Sequence, residues 1–294
     1  MAALFFLSPL RYPGGKGRLT KFIGQLLHDQ NTTHHTYVEP FAGGAGAALQ
    51  LLYGEYVERV VLNDLDRHIA AFWRCVFTRT AELIALTRSA VVTIDEWHLQ
   101  RAVFETEMDD DLAIGFATFF LNRTNRSGIL SAGPIGGLEQ TGTWLIDARW
   151  KADDLCRRIE ILGRYRNRVT LHQDDGVNVT KHYLKRPGHL IYADPPYIHK
   201  GAGLYLDAMT WPDHVRLAKA LCDAPQRSWL VTYDRDQRVP DLLFPGLRCI
   251  DFGIAHTAAA QHVGREFAVF SDGLRLVHLD GLGAHTDQHE YAPV

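Results

Sequence analysis

The sequence predicts an α/β protein, a Rossmann-like sheet interrupted by an inserted, mainly helical segment. Three observations carry that expectation. A β-prone stretch over residues 36–41 runs into Gly43-Gly44-Ala45-Gly46 and then a helical run over 47–53, the strand, glycine turn and helix that open a nucleotide-binding βαβ unit. Two further apolar runs, 57–63 and 190–193, each stop at a carboxylate, Asp64 and Asp194; the carboxyl ends of strands are where open α/β sheets bind ligands. Between them, 68–124 reads as mainly helical, with Ile69, Phe72, Trp73, Val76 and Phe77 at the i, i+3, i+4, i+7, i+8 spacing of a buried stripe.

At 294 residues the chain can bury a full core, as one large domain or two. Hydrophobic content of 46% and charged content of 22% are ordinary for a soluble globular protein. A net charge of −3 gives no global attraction to nucleic acid, so a surface for one has to be local. Cys75, Cys156, Cys222 and Cys249 are scattered, with no C-x-x-C pair. That argues against a zinc ribbon or a disulfide framework, fits a reducing cytosol, and leaves no metal site expected. No apolar run approaches the ~20 residues of a membrane span, and the patch 2–7 is stopped by Ser8-Pro9. The expected location is the cytoplasm.

Taken in order, the chain opens on PLRYPGGKGRL, a glycine turn that carries Tyr12 and Lys16 and lets backbone approach a ligand. The strand over 36–41 holds Glu39 and Phe41, and Gly43 to Gly46 make the turn after it. The second strand, 57–63, ends at Asp64, placed to accept ribose hydroxyls, while Asp66 is expected to cap the next helix. Asp95 is expected to cap another, and Asp109-Asp110-Asp111 lead into 112–121, whose Phe116, Phe119 and Phe120 are expected in the core. Residues 122–142 (NRTNRSGILSAGPIGGLEQTG) then read as a projecting loop, with Arg123, Asn125 and Arg126 as donors for phosphates and base edges. The run 149–168 holds seven basic residues against three acidic ones, a solvated helix face or a DNA-facing one. A strand over 169–172 is followed by Asp174 and Asp175. Late in the chain, 211–221 reads as a helix and 229–233 as a strand. Residues 266–270 and 274–278 read as a hairpin about Ser271-Asp272-Gly273, and the polar tail 281–294 as disorder.

The most informative stretch is HLIYADPPYIHKG, 189–201. Two prolines cannot donate to a sheet ladder, so Asp194-Pro195-Pro196-Tyr197 must leave the strand as a stiff bend. A carboxylate and a proline carbonyl, each accepting one N–H, suit an exocyclic amino group whose lone pair is delocalised into a ring. They fix the nitrogen and stabilise positive charge as it attacks an electrophilic carbon. The Tyr197 ring is a stacking face for a flat base taken out of its helix, and Lys200 in the following loop can touch phosphate.

D-P-P-Y resembles the signature of the amino-methyltransferases that act on adenine N6 or cytosine N4 with S-adenosylmethionine. Together with Y-P-G-G-K at 12–16 and F-A-G-G-A-G at 41–46, the chain is similar, from Pro9 to about Phe270, to the D12-class (alpha-group) DNA adenine-N6 methyltransferases. That resemblance implies a discontinuous cofactor and catalytic domain (1–75 and 166–280) around a DNA target-recognition insertion (76–165), which the F-L-N-R stretch ending at Arg123 also suggests. It implies double-stranded DNA as partner, in a restriction, phage-protection or regulatory setting that could include a cognate restriction component. The cofactor set it implies is Tyr12, Lys16, Glu39, Phe41, Gly43, Gly46, Asp64 and Asp175, with Asp174 the alternative to the last. The catalytic set is Asp194, Pro195, Pro196 and Tyr197; the DNA set is Arg123, Asn125, Arg126 and Lys200. Leu49 at the third glycine of a dinucleotide fingerprint, and Glu39 ahead of the turn, favour S-adenosylmethionine over a nicotinamide. N4-cytosine or RNA methylation, or a non-catalytic DNA-binding relative, are the competing readings.

Overall fold

Alternation along the central strands divides the apolar residues between two cores. The computed structural model describes residues 7–12, 16–30, 36–198, 209–256, 262–279 and 282. Its strands are β1 (Thr36–Glu39), β2 (Arg59–Asn63), β3 (Val169–His172), β4 (His189–Ala193), β5 (Ser228–Asp234), β6 (Arg248–His256) and β7 (His262–Phe270). They form one sheet in the order β3-β2-β1-β4-β5-β7-β6, parallel but for β7, which runs antiparallel to both its neighbours. The Rossmann-like α/β expectation holds.

The helices are α1 (Thr20–Asp29), α2 (Gly46–Tyr53), α3 (Arg67–Thr78), α4 (Thr80–Ser89), α5 (Ile94–Glu105), α6 (Asp111–Thr124), α7 (Ala152–Gly163), α8 (Gly176–Leu184) and α9 (Trp211–Cys222). Tyr37, Leu190, Tyr192 and Leu230 face a core shared with α1 to α3 and with α6. Val38, Ile191, Trp229 and Val231 face the opposite core, under α8 and α9. Burying a side chain of this size contributes about 1.5–3 kcal/mol, so a one-residue slip in register would forfeit both faces at once. Helices α3 to α7 lie between β2 and β3, and their apolar residues join the first core instead of closing one of their own.

Capping follows the expected chemistry at Asp66, whose carboxylate accepts the His68 N–H, and at Asp110, which caps α6. Asp95 does not cap α5: Thr93 does, accepting from the Glu96 N–H, and Asp95 sits in the first turn. The closing hairpin is also displaced from its expected place. It pairs β6 with β7, and the turn at 271–273 instead folds onto the start of β5, where Ser271 Oγ accepts from Trp229 N–H and Gly273 N–H donates to the Pro225 carbonyl. Strand β6 escaped the alternation test because Cys249, Ile250, Asp251 and Phe252 are all buried in succession. Of the tail, only Leu282 lies among the described residues, and it is fully buried. Among the described residues no helix is long and apolar enough to cross a membrane.

Candidate active site

Strands β1, β2 and β3 build the sheet in one direction, and β4 and β5 build it in the other. The carboxyl ends of β1 and β4 therefore flank the switch point, with Val38 registered to Ile191. Glu39 and the glycine turn leave one of these strands, and Asp194 leaves the other.

In the turn, Gly43 has φ +46° and Ala45 φ +48°, both left-handed. A Cβ on Gly43 would lie 2.6 Å from the Tyr12 ring, so glycine is required here both for its backbone and for the aromatic packed over it. The Gly43 N–H donates to Asp64 Oδ2 at 2.8 Å, and its carbonyl accepts from Trp73 Nε1 at 2.8 Å. Asp64 thus braces the turn while standing at the end of β2, beside a small pocket of about 50 Å³ lined by Asn63, Trp73, Arg74, His172 and Gln173. Gly46 opens α2 within 3.4 Å of the Gly17 backbone, measured from where its Cβ would be, and the Phe41 ring fills the space over Gly176. Tyr12, Phe41, Gly43, Gly46 and Asp64 are therefore brought to one edge of the sheet.

Glu39 is buried. Its Oε1 accepts from the Tyr37 hydroxyl at 3.1 Å and the Ala48 N–H at 3.0 Å. Oε2 has no hydrogen-bond partner among the described residues. Burial pushes the carboxyl up to about 8, against the pull of those two hydrogen bonds, and the Asp194 charge adds to the rise. A buried acid with one oxygen unengaged fits a cationic ligand. S-adenosylmethionine, with a sulfonium and an α-ammonium, is cationic in the required sense.

The Asp174-Asp175 doublet divides its tasks. Asp175 caps α8 through Oδ1, accepting from Val177 N–H and Asn178 N–H, and pairs with Arg216 through Oδ2 at 2.9 Å. Asp174 is exposed, with its backbone bracketed by the Asn63 amide at 3.0 and 2.9 Å.

At the end of β4, both partners of Asp194 reach the same oxygen: Thr232 Oγ1 donates to Oδ1 at 2.7 Å, and Lys16 Nζ lies 3.0 Å from it. Oδ2 takes no hydrogen bond from a described residue. Lys16 Nζ is also 3.2 Å from Glu266 Oε2 and 5.3 Å from the centre of the Tyr197 ring, whose hydroxyl donates to Glu266 Oε1 at 2.7 Å. The side chains of Lys16 and Glu266 are 4% and 2% exposed, whereas that of Asp194 is 22% exposed, so a ligand reaches Asp194 first. Burial alone would lower the Lys16 pKa, but the Asp194 and Glu266 carboxylates outweigh it and hold the amine charged. Burial raises Glu266, and Lys16 offsets that only in part. Burial likewise keeps Tyr197 a neutral phenol. Asp234 Oδ1 accepts the Ile198 N–H at 3.0 Å and pins the chain just past the bend. Lys16, expected beside the cofactor, thus sits against the Asp194-Pro195-Pro196-Tyr197 bend.

The four residues expected to meet DNA are not alike. The Arg123 guanidinium is turned inward, donating to the carbonyls of Arg149 and Pro9, and burial with nearby Arg11 and Arg158 lowers its pKa. Asn125 is fully buried, accepting from Trp97 Nε1 and donating to the Ile129 and Leu130 carbonyls. Arg126 is exposed, and Lys200 lies outside the described residues. In the basic run, Arg158 and Arg168 are committed to Asp154 and Glu55.

Glu266, Thr232, Asp234 and Asn122 were missed by the sequence reading. Asn122 clamps the backbone of Arg11, accepting its N–H at 2.7 Å and donating to its carbonyl at 2.8 Å, which sets the adjoining Tyr12 over the glycine turn. Glu266 and Asp234 each left one signal, as a charged residue beside an apolar strand run.

Residues 12–243 match the family model described as D12 class N6 adenine-specific DNA methyltransferase. None of the curated proteins matches the sequence. Among solved structures, the rRNA methyltransferase aviRa from Streptomyces viridochromogenes is similar at 14% identity, over 88% of this chain and 86% of that one, with a TM-score of 0.37.

Proposed function

Since the chain belongs to the D12 class of N6 adenine-specific DNA methyltransferases, an enzyme family that uses S-adenosylmethionine, we propose that it methylates adenine N6 in double-stranded DNA at a site-specific target, with the base flipped into the crevice between β1 and β4. The observation that carries this reading is the unengaged Oδ2 of Asp194, on the strand next to Glu39 and its glycine turn.

The cofactor would be held by Glu39, Phe41, Gly43, Gly46 and Asp64, with Tyr12 over the turn. Of the acidic doublet, Asp174 is the better candidate for its adenine ring, because both carboxylate oxygens of Asp175 are already engaged. Bound there, S-adenosylmethionine supplies a methyl carbon made electrophilic by its sulfonium. Asp194 Oδ2 and the Pro195 carbonyl each accept one hydrogen of the target amino group, which draws the nitrogen lone pair out of conjugation. Asp194 also stabilises the positive charge that builds on that nitrogen, and a charge formed in a partly desolvated site makes this the largest single contribution. Tyr197 stacks on the base and limits its rotation, so that proximity supplies much of the remainder. No strong base is needed, because the nitrogen is positively charged and acidic once methylated, and its proton would pass to solvent water.

For DNA contact, Arg126 is the exposed member of the expected set, and Trp144, two residues past that stretch, is 67% exposed. An exposed arginine suits a phosphate, and a solvent-facing indole suits an unstacked base. Transfer of tritiated methyl groups to duplex DNA, followed by nucleoside analysis, tests the proposal. Label in N6-methyladenine is expected; label in N4-methylcytosine, or in RNA alone, would overturn the substrate.

A further inference from the structure

Glu266 lies on β7, beyond the span that matches the family, yet its carboxylate meets two residues of the site. Oε1 accepts the Tyr197 hydroxyl at 2.7 Å, and Oε2 stands 3.2 Å from Lys16 Nζ. The sheet explains how it gets there. Strand β7 runs antiparallel beside β5, with Glu266 registered to Asp234, so the two side chains leave the same face of neighbouring strands. Asp234 holds the backbone just past the proline bend through Ile198 N–H, and Glu266 holds the far end of the Tyr197 ring. Tyr197 is therefore fixed at both ends, by stiff backbone at its Cα and by a buried acceptor at its hydroxyl.

We propose that Glu266 is a positioning residue for methyl transfer, acting through Tyr197 and Lys16; this rests on the function proposed above. Its first effect is geometric, setting the plane of the ring on which the target base stacks. Its second is electrostatic. One ammonium is divided between two carboxylates, 3.0 Å from Asp194 and 3.2 Å from Glu266. Were Glu266 removed, Lys16 would belong to Asp194 alone and compete with the target amino group for that carboxylate. Glu266 thus keeps Oδ2 of Asp194 available.

The test compares wild type with Glu266→Gln, Glu266→Ala, Tyr197→Phe and the Glu266→Ala/Tyr197→Phe pair, using tritiated methyl transfer to duplex DNA across pH, with 2-aminopurine at the target position reporting the flipped base. A ring displaced by about 1 Å costs on the order of 100-fold in rate, so Glu266→Ala should lose between 10- and 100-fold in kcat, with less change in KM for S-adenosylmethionine. Glu266→Gln keeps an acceptor for Tyr197 but not the charge that divides Lys16. It should lose less, and its rate should lack the acid limb that Glu266 ionisation gives the wild type. In the Glu266→Ala/Tyr197→Phe pair the losses should not multiply, since alanine has already removed the acceptor of the Tyr197 hydroxyl. Wild-type kcat and an unchanged pH profile in Glu266→Gln would overturn the proposal, whether or not Glu266→Ala folds. Multiplying losses would also overturn it. Absence of methyl transfer to DNA by the wild type would instead overturn the underlying function, and this proposal with it.

Discussion

Replacing Glu39 with glutamine should stabilise the protein, and increasingly so as pH rises. The carboxyl is fully buried, and its pKa goes from 4.5 in the unfolded chain to about 8 in the fold. That gap corresponds to about 5 kcal/mol of preference for the neutral form. The sign follows from proton occupancy. Between pH 4.5 and 8 the folded protein holds a proton on Glu39 that the unfolded chain has released, so stability from this group is whole below 4.5 and is lost as pH rises through 8. The slope is about 1.4 kcal/mol per pH unit inside that window. Glutamine does not titrate, and its carbonyl still accepts from the Tyr37 hydroxyl and the Ala48 N–H.

Urea unfolding of both proteins at pH 5, 6, 7, 8 and 9 checks this. The difference between variant and wild type should grow by about 4 kcal/mol from pH 5 to pH 8 and then flatten. Taking the difference cancels the other titrating groups, including Glu266 and the buried His214, as long as they do not couple to Glu39. A difference independent of pH, or one that favours wild type at pH 8, would refute the assignment of Glu39 as a buried, uncompensated acid. The same variant should bind S-adenosylmethionine more weakly at pH 8, where the ionised carboxylate attracts the cation that glutamine cannot.

Asp194→Asn should lower kcat by about 100- to 1,000-fold while S-adenosylmethionine still binds, because an amide keeps the Thr232 contact but not the negative charge; wild-type turnover would remove Asp194 from its role. Gly43→Ala puts a methyl group 2.6 Å from the Tyr12 ring at φ +46°, so thermal stability and cofactor affinity should both fall, and Tyr12→Ala should recover part of the loss; a neutral Gly43→Ala would contradict the close packing of the turn. Arg126→Ala should leave the melting temperature alone and reduce the salt slope of DNA binding by about one. Arg123→Ala should instead lower stability by about 1–3 kcal/mol, because it removes the charged donor that the Arg149 and Pro9 carbonyls accept from; the opposite pattern on melting curves and salt titrations would exchange their roles.

The strand-ending carboxylates and the glycine turn were legible because each rests on local chemistry: a proline pair must leave a strand, and a left-handed residue needs glycine. Arg123 and Asn125 misled for the complementary reason. Polar residues in a glycine-rich stretch look solvated, yet Asn125 binds Trp97 from α5, and Arg123 binds a carbonyl 26 residues on. Neither partner has a sequence signature. The hairpin was misplaced because β6 is buried over four consecutive residues, which removes the period-two signal. Asn122 lies in the F-L-N-R stretch, but its role depends on Arg11, 111 residues away.

The charge pattern of the crevice explains why its two halves are not interchangeable. On the β4 side, one buried lysine already serves two carboxylates, so a further cation meets an occupied oxygen and a neutral N–H donor is the better guest. On the β1 side, Glu39 is equally buried and has no lysine or arginine paired with it among the described residues; its raised pKa records that lack. Asp194 contributes to that rise, so the two sides sense each other across the sheet edge. A positively charged methyl donor on the Glu39 side would relieve the imbalance, and an amino group on the Asp194 side would complete the remaining acceptor. Under the proposed function, that arrangement would set a cation and an amine on opposite sides of the switch point, in the order a methyl transfer between them needs.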